Sequence, residues 1–509
     1  MDTFILSLDL GTTAIKVAIV NAQGKLVATS TQEYKLLTPD TLSVELPVET
    51  YWEAFKKGVA EVMRISGIAR DSLVSLGISA QGETLILLDS QHKPLRNAIV
   101  WMDNRAQKEA KELDGKFPPE LMQKHTGQVS MVPTWPAAKL LWVRNHEPAL
   151  FERIDKILLI EDYFIFRLTG RFACEGSLIC STAYWDIHTK KWWSEMLSYL
   201  GIVETQLPDI FEPGTVVQAV KKSVADELGV SERMMVCTGA LDQAAGAIGV
   251  GNIANGLFSE NTGAALAICA SVDRPFIDDR QQMPCHYHGI PNLYMAHTFT
   301  TGGMVLKWFR DAFCTLEMLV GESTGQDPYY LMDLAARNIP AGSDGLIMLP
   351  HLSGAMAPEA NPKAKGVFFG ITMKHTREHF IRAIMEAVGF IVMRNIEAVE
   401  SMGIPVEEIR VLGGGSKSKV WNQIKADITG RTIYTTENSD AACLGAAIIS
   451  GVAVGEFSNI KDAVDNMIVL KEKFIPNMEN HERYRMLYAQ YKQLYEDLCP
   501  LFEKAESSE

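Results

Sequence analysis

No Cys-x-x-Cys pair occurs in the chain, and no run of Lys and Arg is longer than two residues. The eight cysteines fall at irregular spacings, mostly in apolar context, and read as buried reduced thiols rather than a disulfide framework. The segment CHYH at Cys285–His288 lacks a second ligand pair, so it does not make a metal site. A formal charge of −14 without a basic cluster excludes nucleic acid and an anionic membrane surface as partners. It leaves phosphate ligands open, because backbone amides and Mg²⁺ hold those in acidic proteins. The most apolar uncharged stretch, AACLGAAIISGVAVG, ends after 15 residues, short of the ~18 that span a bilayer. Asp2 and Asp9 stand where a secretory leader would be basic and then apolar, so a cytoplasmic protein is expected. G-x-x-x-x-G-K-[ST] is absent, which removes the P-loop NTPases.

What the chain does contain is ordinary globular material, 47% hydrophobic and 22% charged, and its 509 residues suffice for about two to four domains. The opening FILSLDL, GTT, IKVAIVNAQG and KLVATSTQEY read as strands joined by turns, with Gly24 suited to positive φ. Tyr51, Phe55, Val59 and Val62 then follow at helical spacing. Near residue 235, MMVCTGALDQAAGAIGVG reads as strand, turn and small-residue helix; NGLFSENTGAALAICAS repeats the strand–hydroxyl turn–strand logic of the opening. Two related lobes facing a cleft are therefore expected, residues 1–250 and 251–509. A long amphipathic helix is expected from about Arg377 to Met402, and a C-terminal helix carries Tyr484, Leu487 and Tyr491 on one face as a lid on a core.

Four elements carry chemistry. Asp9 interrupts an apolar strand, and a carboxylate there is costly unless it is paired or meets a cation. With Gly11, Thr12 and Thr13 beside it, the turn suits Mg²⁺ and phosphate oxygens. Thr262 and Gly263 offer a similar turn later in the chain. Gly413, Gly414 and Gly415 end a strand where a residue without Cβ lets a flat ligand reach the backbone. Asp242, followed by Gln243, closes a strand before a helix, a position that also suits an N-cap.

Taken together, these stretches make the chain resemble the FGGY carbohydrate kinases, a branch of the actin/hexokinase-like, ribonuclease-H-like ATPases, and within them the xylulokinases. The resemblance runs from LDLGTTAIKV to LGGGSKSKVWNQIKADITGR, with its longest pieces in WPAAKLLWVRNHEP and KGVFFGITMKHTREHFIRAIMEAVG. It implies an α/β fold of two lobes with mixed five-stranded sheets flanked by helices, and an active site in the interlobe cleft. It further implies ATP and Mg²⁺ as cofactors and a sugar or polyol as acceptor. Asp9 would orient the metal, with Thr12, Thr13 and Lys16 near the phosphates, and Asp242 would be the general base. Thr262 and Gly263 would meet the terminal phosphate. Gly303 and Lys307, with Gly414, Gly415 and Lys419, would frame the adenosine. Gln81, Glu83, Trp101, Asp103 and Gln243 would line the sugar pocket. Homodimers are common among similar kinases, and the C-terminal helix could serve one.

The chain also departs from the pattern. Gly82-Glu83 replaces the Met-His pair usual in xylulokinases, and QGET is closer to the QRET of glycerol kinases but lacks its Arg. Thr134 stands where those kinases have a pocket tyrosine, and Asn261 where glycine is usual. The expected reaction is ATP-dependent phosphorylation of a ketopentose such as D-xylulose, with glycerol, gluconate, ribulose or L-xylulose as alternative acceptors. A catalytically silent actin-like sugar sensor would have no use for an acid at 242. A dinucleotide oxidoreductase lacks its strand–G-x-G-x-x-G–helix unit.

Overall fold

Alternation of apolar residues shapes the first sheet. In the computed structural model, which describes residues 2–280, 282–438 and 440–505, Phe4–Leu10 pairs antiparallel with Ala14–Asn21, and that strand with Leu26–Glu33. Leu73–Ala80 and then Met235–Cys237 add in parallel on the other side. These five strands form the mixed core; Val216–Ala219 at the edge and Ala240–Leu241 against Leu73–Ala80 widen it. Side chains alternate between faces, so Leu8 and Val17 point one way and Ser7 the other. Helix Val48–Ser66 covers the first face, with Gly58 set against Val17 and with Tyr51, Phe55, Val59 and Val62 buried.

The second face is covered by helix Ala441–Ala453, the small-residue stretch of the sequence. Ser7 Oγ donates to Cys443 O at 2.6 Å. Three glycines set the approach: a Cβ at Gly77 would lie 2.1 Å from Ala446 O, one at Gly445 1.8 Å from Ala245 O, and one at Gly249 1.9 Å from Ala441 O. Strand Leu73–Ala80, helix Asp242–Gly249 and helix Ala441–Ala453 thus stack backbone against backbone.

A second hairpin, Leu257–Thr262 with Ala265–Val272, repeats the first. Glu408–Leu412 and Thr432–Thr436 add to it in parallel, Leu470–Phe474 closes antiparallel, and Tyr294–Thr301 lies beside Ala265–Val272. Helix Arg377–Ser401, expected from its periodicity, packs with Lys419–Thr429. Met478–Ala505 lies over this core: Tyr484 is fully buried and its hydroxyl donates to Glu386 at 2.7 Å.

By compactness the chain forms two units. One comprises Met1–Ala254, Ser271–Met295 and Asp440–Val469; the other comprises Asn255–Ala270, Ala296–Ser439 and Leu470–Glu509. The second unit contains a fully buried ion pair, Lys425 Nζ to Glu260 Oε2 at 2.6 Å. Lys425→Met strands that carboxylate and is expected to cost about 3–5 kcal/mol in denaturant unfolding, with Glu260→Gln recovering much of it in the double variant.

Candidate active site

Asp9 is the penultimate residue of its strand, opposite Lys16 on one neighbour and Ser79 on the other. Ser79 Oγ donates to Asp9 Oδ1 at 2.8 Å. Burial raises the Asp9 carboxyl above its ordinary range, against the pull of the Ser79 hydrogen bond and the Lys16 charge. Lys16 pairs with Asp440, the residue just before helix Ala441–Ala453. The Gly11–Thr13 turn closes with Gly11 N–H on Ala14 O at 3.1 Å. Tyr34 hydroxyl and Gln81 Nε2 both donate to Gly11 O, and Trp101 Nε1 donates to Thr12 Oγ1 at 2.8 Å. Thr13 is exposed, and its carbonyl accepts the Tyr34 N–H.

Asp242 is the first residue of its helix, in the same unit as Asp9. Burial, and secondarily the negative charge of Asp9, pushes its carboxyl up to about 7, opposed by hydrogen bonds from Gln243. Two carboxyls that feel each other cannot both be charged cheaply without a cation. Glu83 adds a third charge felt by Asp242, and Ser181 and Lys139 face it. Asp103, by contrast, spends its oxygens internally, on Val44 N–H at 2.6 Å and on Arg105.

The second unit holds a cavity of about 490 Å³. Thr262 and Gly263, expected at the terminal phosphate, and Gly303, Lys307, Gly414 and Gly415, expected at the adenosine, all line it. The walls meet at backbone distance: a Cβ at Gly415 would lie 2.6 Å from Thr262 Cβ, and one at Gly303 2.5 Å from Gly263 O. Gly413, at φ +77°, makes the left-handed turn that glycine adopts without cost. Thr262 Oγ1 is buried without a hydrogen-bond partner. Lys419 instead pairs with Glu472 and lines a neighbouring cavity, while Lys417 lines the larger one.

Sequence reasoning did not single out Asp440, Lys139 or the cavity walls Tyr329, Asp333 and Trp421. Asp333 accepts from Ser418 Oγ at 2.8 Å, and burial pushes its carboxyl up to about 6. The only signal for Lys139 was a cation inside the apolar run AAKLLW. The cysteines are all free and seven are buried; among the described residues no group of three or more His, Cys, Asp or Glu could hold a metal by itself.

Two hairpin-plus-parallel sheets, one carrying Asp9 and the other beside a glycine-walled cavity, are the architecture of the two-lobe ATPases. The chain belongs to the FGGY family of carbohydrate kinases: the family's N-terminal domain matches residues 4–249 and its C-terminal domain residues 278–454. It is a carbohydrate kinase with an alcohol acceptor, and its family uses ATP. It is 29% identical to a xylulose kinase of Bacillus subtilis, over 97% of this chain and 96% of that one. It is also 29% identical to a gluconokinase of Bacillus licheniformis, over 96% and 94%. The crystal structure of ligand-bound xylulose kinase from Lactobacillus acidophilus superposes with a TM-score of 0.90, at 27% identity and 99% coverage of both chains. No helix among the described residues is long and apolar enough to cross a membrane.

Proposed function

We propose that the protein transfers the γ-phosphoryl group of ATP to a hydroxyl of a ketopentose, with D-xylulose the leading acceptor, in the cytoplasm. The transfer rests on Asp242, a carboxyl at the head of a helix that burial and the Asp9 charge push up to about 7, and the xylulose kinase relatives support the acceptor. Phosphoryl transfer needs alignment, charge neutralisation and a carboxylate to accept the hydroxyl proton. Asp242 takes that proton as the acceptor oxygen attacks phosphorus in line. The second-unit cavity holds the nucleotide, with the unpartnered Thr262 hydroxyl donating to a phosphate oxygen.

The Asp9 carboxyl, with the Ser79 hydroxyl on it and the hydroxyls of the Gly11–Thr13 turn close in the chain, offers the oxygen donors that fit Mg²⁺, which keeps several waters and binds through one or two carboxylates and the phosphates. Asp9 would hold it, and the ion would supply neutralisation of phosphate charge.

A coupled ADP-release assay against D-xylulose, ribulose, L-xylulose, glycerol and gluconate tests the reading. ADP release with none of them ends it. The pH profile is a second test. Asp242 works deprotonated, so log kcat/KM is expected to rise with unit slope below about 7 and level off above it. A profile already flat from pH 5 upward would contradict the role given to Asp242.

A further inference from the structure

The gluconokinase relative matches as well as the xylulose kinase does, so the charge of the acceptor is the question the first unit must answer. Helix Pro136–His146 carries Lys139 with its side chain fully buried. Its Nζ donates to Glu83 O at 3.0 Å, Val100 O at 3.0 Å and Trp101 O at 3.2 Å. Burial pulls this amine down to about 7, against the raising charges of Glu83 and Asp103, and in its ammonium form all three N–H groups are spent on these carbonyls. Glu83 sits at φ +53°, left-handed backbone that a non-glycine residue keeps only when its surroundings hold it. The segment of Glu83 is tied to that of Trp101 a second time, by Trp101 N–H on Thr84 Oγ1 at 3.1 Å.

Among the described residues, Lys16 and Lys139, the cations that Asp9 and Glu83 feel, are committed, as is Arg105 beside Asp103. Lys139 serves the three carbonyls, Lys16 pairs with Asp440, and Arg105 lies on Asp103 and Glu45. Asp9, Asp242 and Glu83 meanwhile present carboxyl oxygens, which accept hydroxyl protons well and repel another carboxylate.

We propose that Lys139 is the positioning residue of the acceptor end, fixing the segments that carry Glu83 and Trp101, and that the end so built takes an uncharged polyhydroxy acceptor and turns away a sugar acid. This rests on the kinase reading above. Lys139 touches no reacting atom; it acts through the backbone it holds. Its N–H donors matter because a thioether of about the same length leaves three buried carbonyls unpartnered. Arginine does not replace it, since a planar fork cannot donate from one point in three directions.

Steady-state kinetics on the full chain test this with D-xylulose and gluconate as acceptors. The wild type is expected to favour D-xylulose by at least ~100-fold in kcat/KM, the discrimination open to a site that leaves a charge unpaired. Lys139→Met is expected to raise the D-xylulose KM at least ~10-fold with kcat within ~3-fold and the ATP KM unchanged, and Lys139→Arg fails to restore it. A residue that merely supported the fold would lower kcat for every substrate and leave the KM values alone. Glu83→Gln, which keeps the shape, is expected to narrow the preference at least ~10-fold by removing a repelling charge, and it decides the matter should Lys139→Met not fold. Gluconate turnover within ~10-fold of D-xylulose in the wild type, or an unshifted acceptor KM in Lys139→Met, overturns the proposal while the kinase reading stands. Absence of ADP release with either acceptor, or with any polyol, takes both down.

Discussion

Asp242→Asn is expected to lower kcat by roughly a thousandfold while leaving the affinity for ATP within about twofold, because general-base catalysis contributes about 10²–10⁴ and nucleotide binding does not use this residue. The amide has the shape of the carboxyl and keeps its place at the first turn of helix Asp242–Gly249, so the fold survives. It cannot accept the proton of the attacking hydroxyl. The measurement is kcat by coupled ADP release, alongside a dissociation constant for ATP from titration calorimetry. Retention of kcat within tenfold of the wild type would remove Asp242 from the chemistry. Asp9→Asn offers the complement. It deletes the charge that helps hold Asp242 near neutrality, so residual activity in that variant is expected to show its lower pH limb shifted towards acid.

Gly445→Val is expected to destabilise the fold by ~3 kcal/mol or more. Its Cβ alone would overlap the carbonyl of Ala245, 1.8 Å away, and the neighbour is backbone, which cannot swing aside as a side chain can. Helix Ala441–Ala453 would have to lift from helix Asp242–Gly249 and from strand Leu73–Ala80. Lifting it also moves Asp440 away from Lys16. The variant is therefore expected to lose both its melting temperature and, at temperatures where it stays folded, part of its activity. Differential scanning calorimetry beside kinetics reads both. A melting temperature within two degrees of the wild type would show the helices able to separate freely, contrary to their packing.

Much of this was legible in the residues. The strand Phe4–Leu10 shows in its apolar run, and helix Arg377–Ser401 in a periodicity sustained over 25 residues. Asp9 is conspicuous because a carboxyl inside such a strand needs a reason. The second hairpin was visible as an echo of the first, and the pairing bears it out. Asp440 was not visible, because its partner Lys16 lies 424 residues away and nothing local distinguishes it from any polar residue ahead of a helix. Tyr329, Asp333 and Trp421 were equally hidden. They sit on helices whose patterns mark which face is buried, and a cavity wall and a core contact look alike at that level. Lys139 advertised itself only as an oddity in an apolar stretch; the three carbonyls it serves come from elsewhere in the chain.

Helix Ala441–Ala453 bears on how the chain is made. The sheet begun by Phe4–Leu10 is covered on its second face by helix Ala441–Ala453, which is made long after the first family domain has left the ribosome. A nascent chain halted at Ala254 carries that face bare, apolar and ready to aggregate. Cutting the gene after the first family domain should thus yield an insoluble fragment, and adding residues 440–469 as a separate peptide should rescue it.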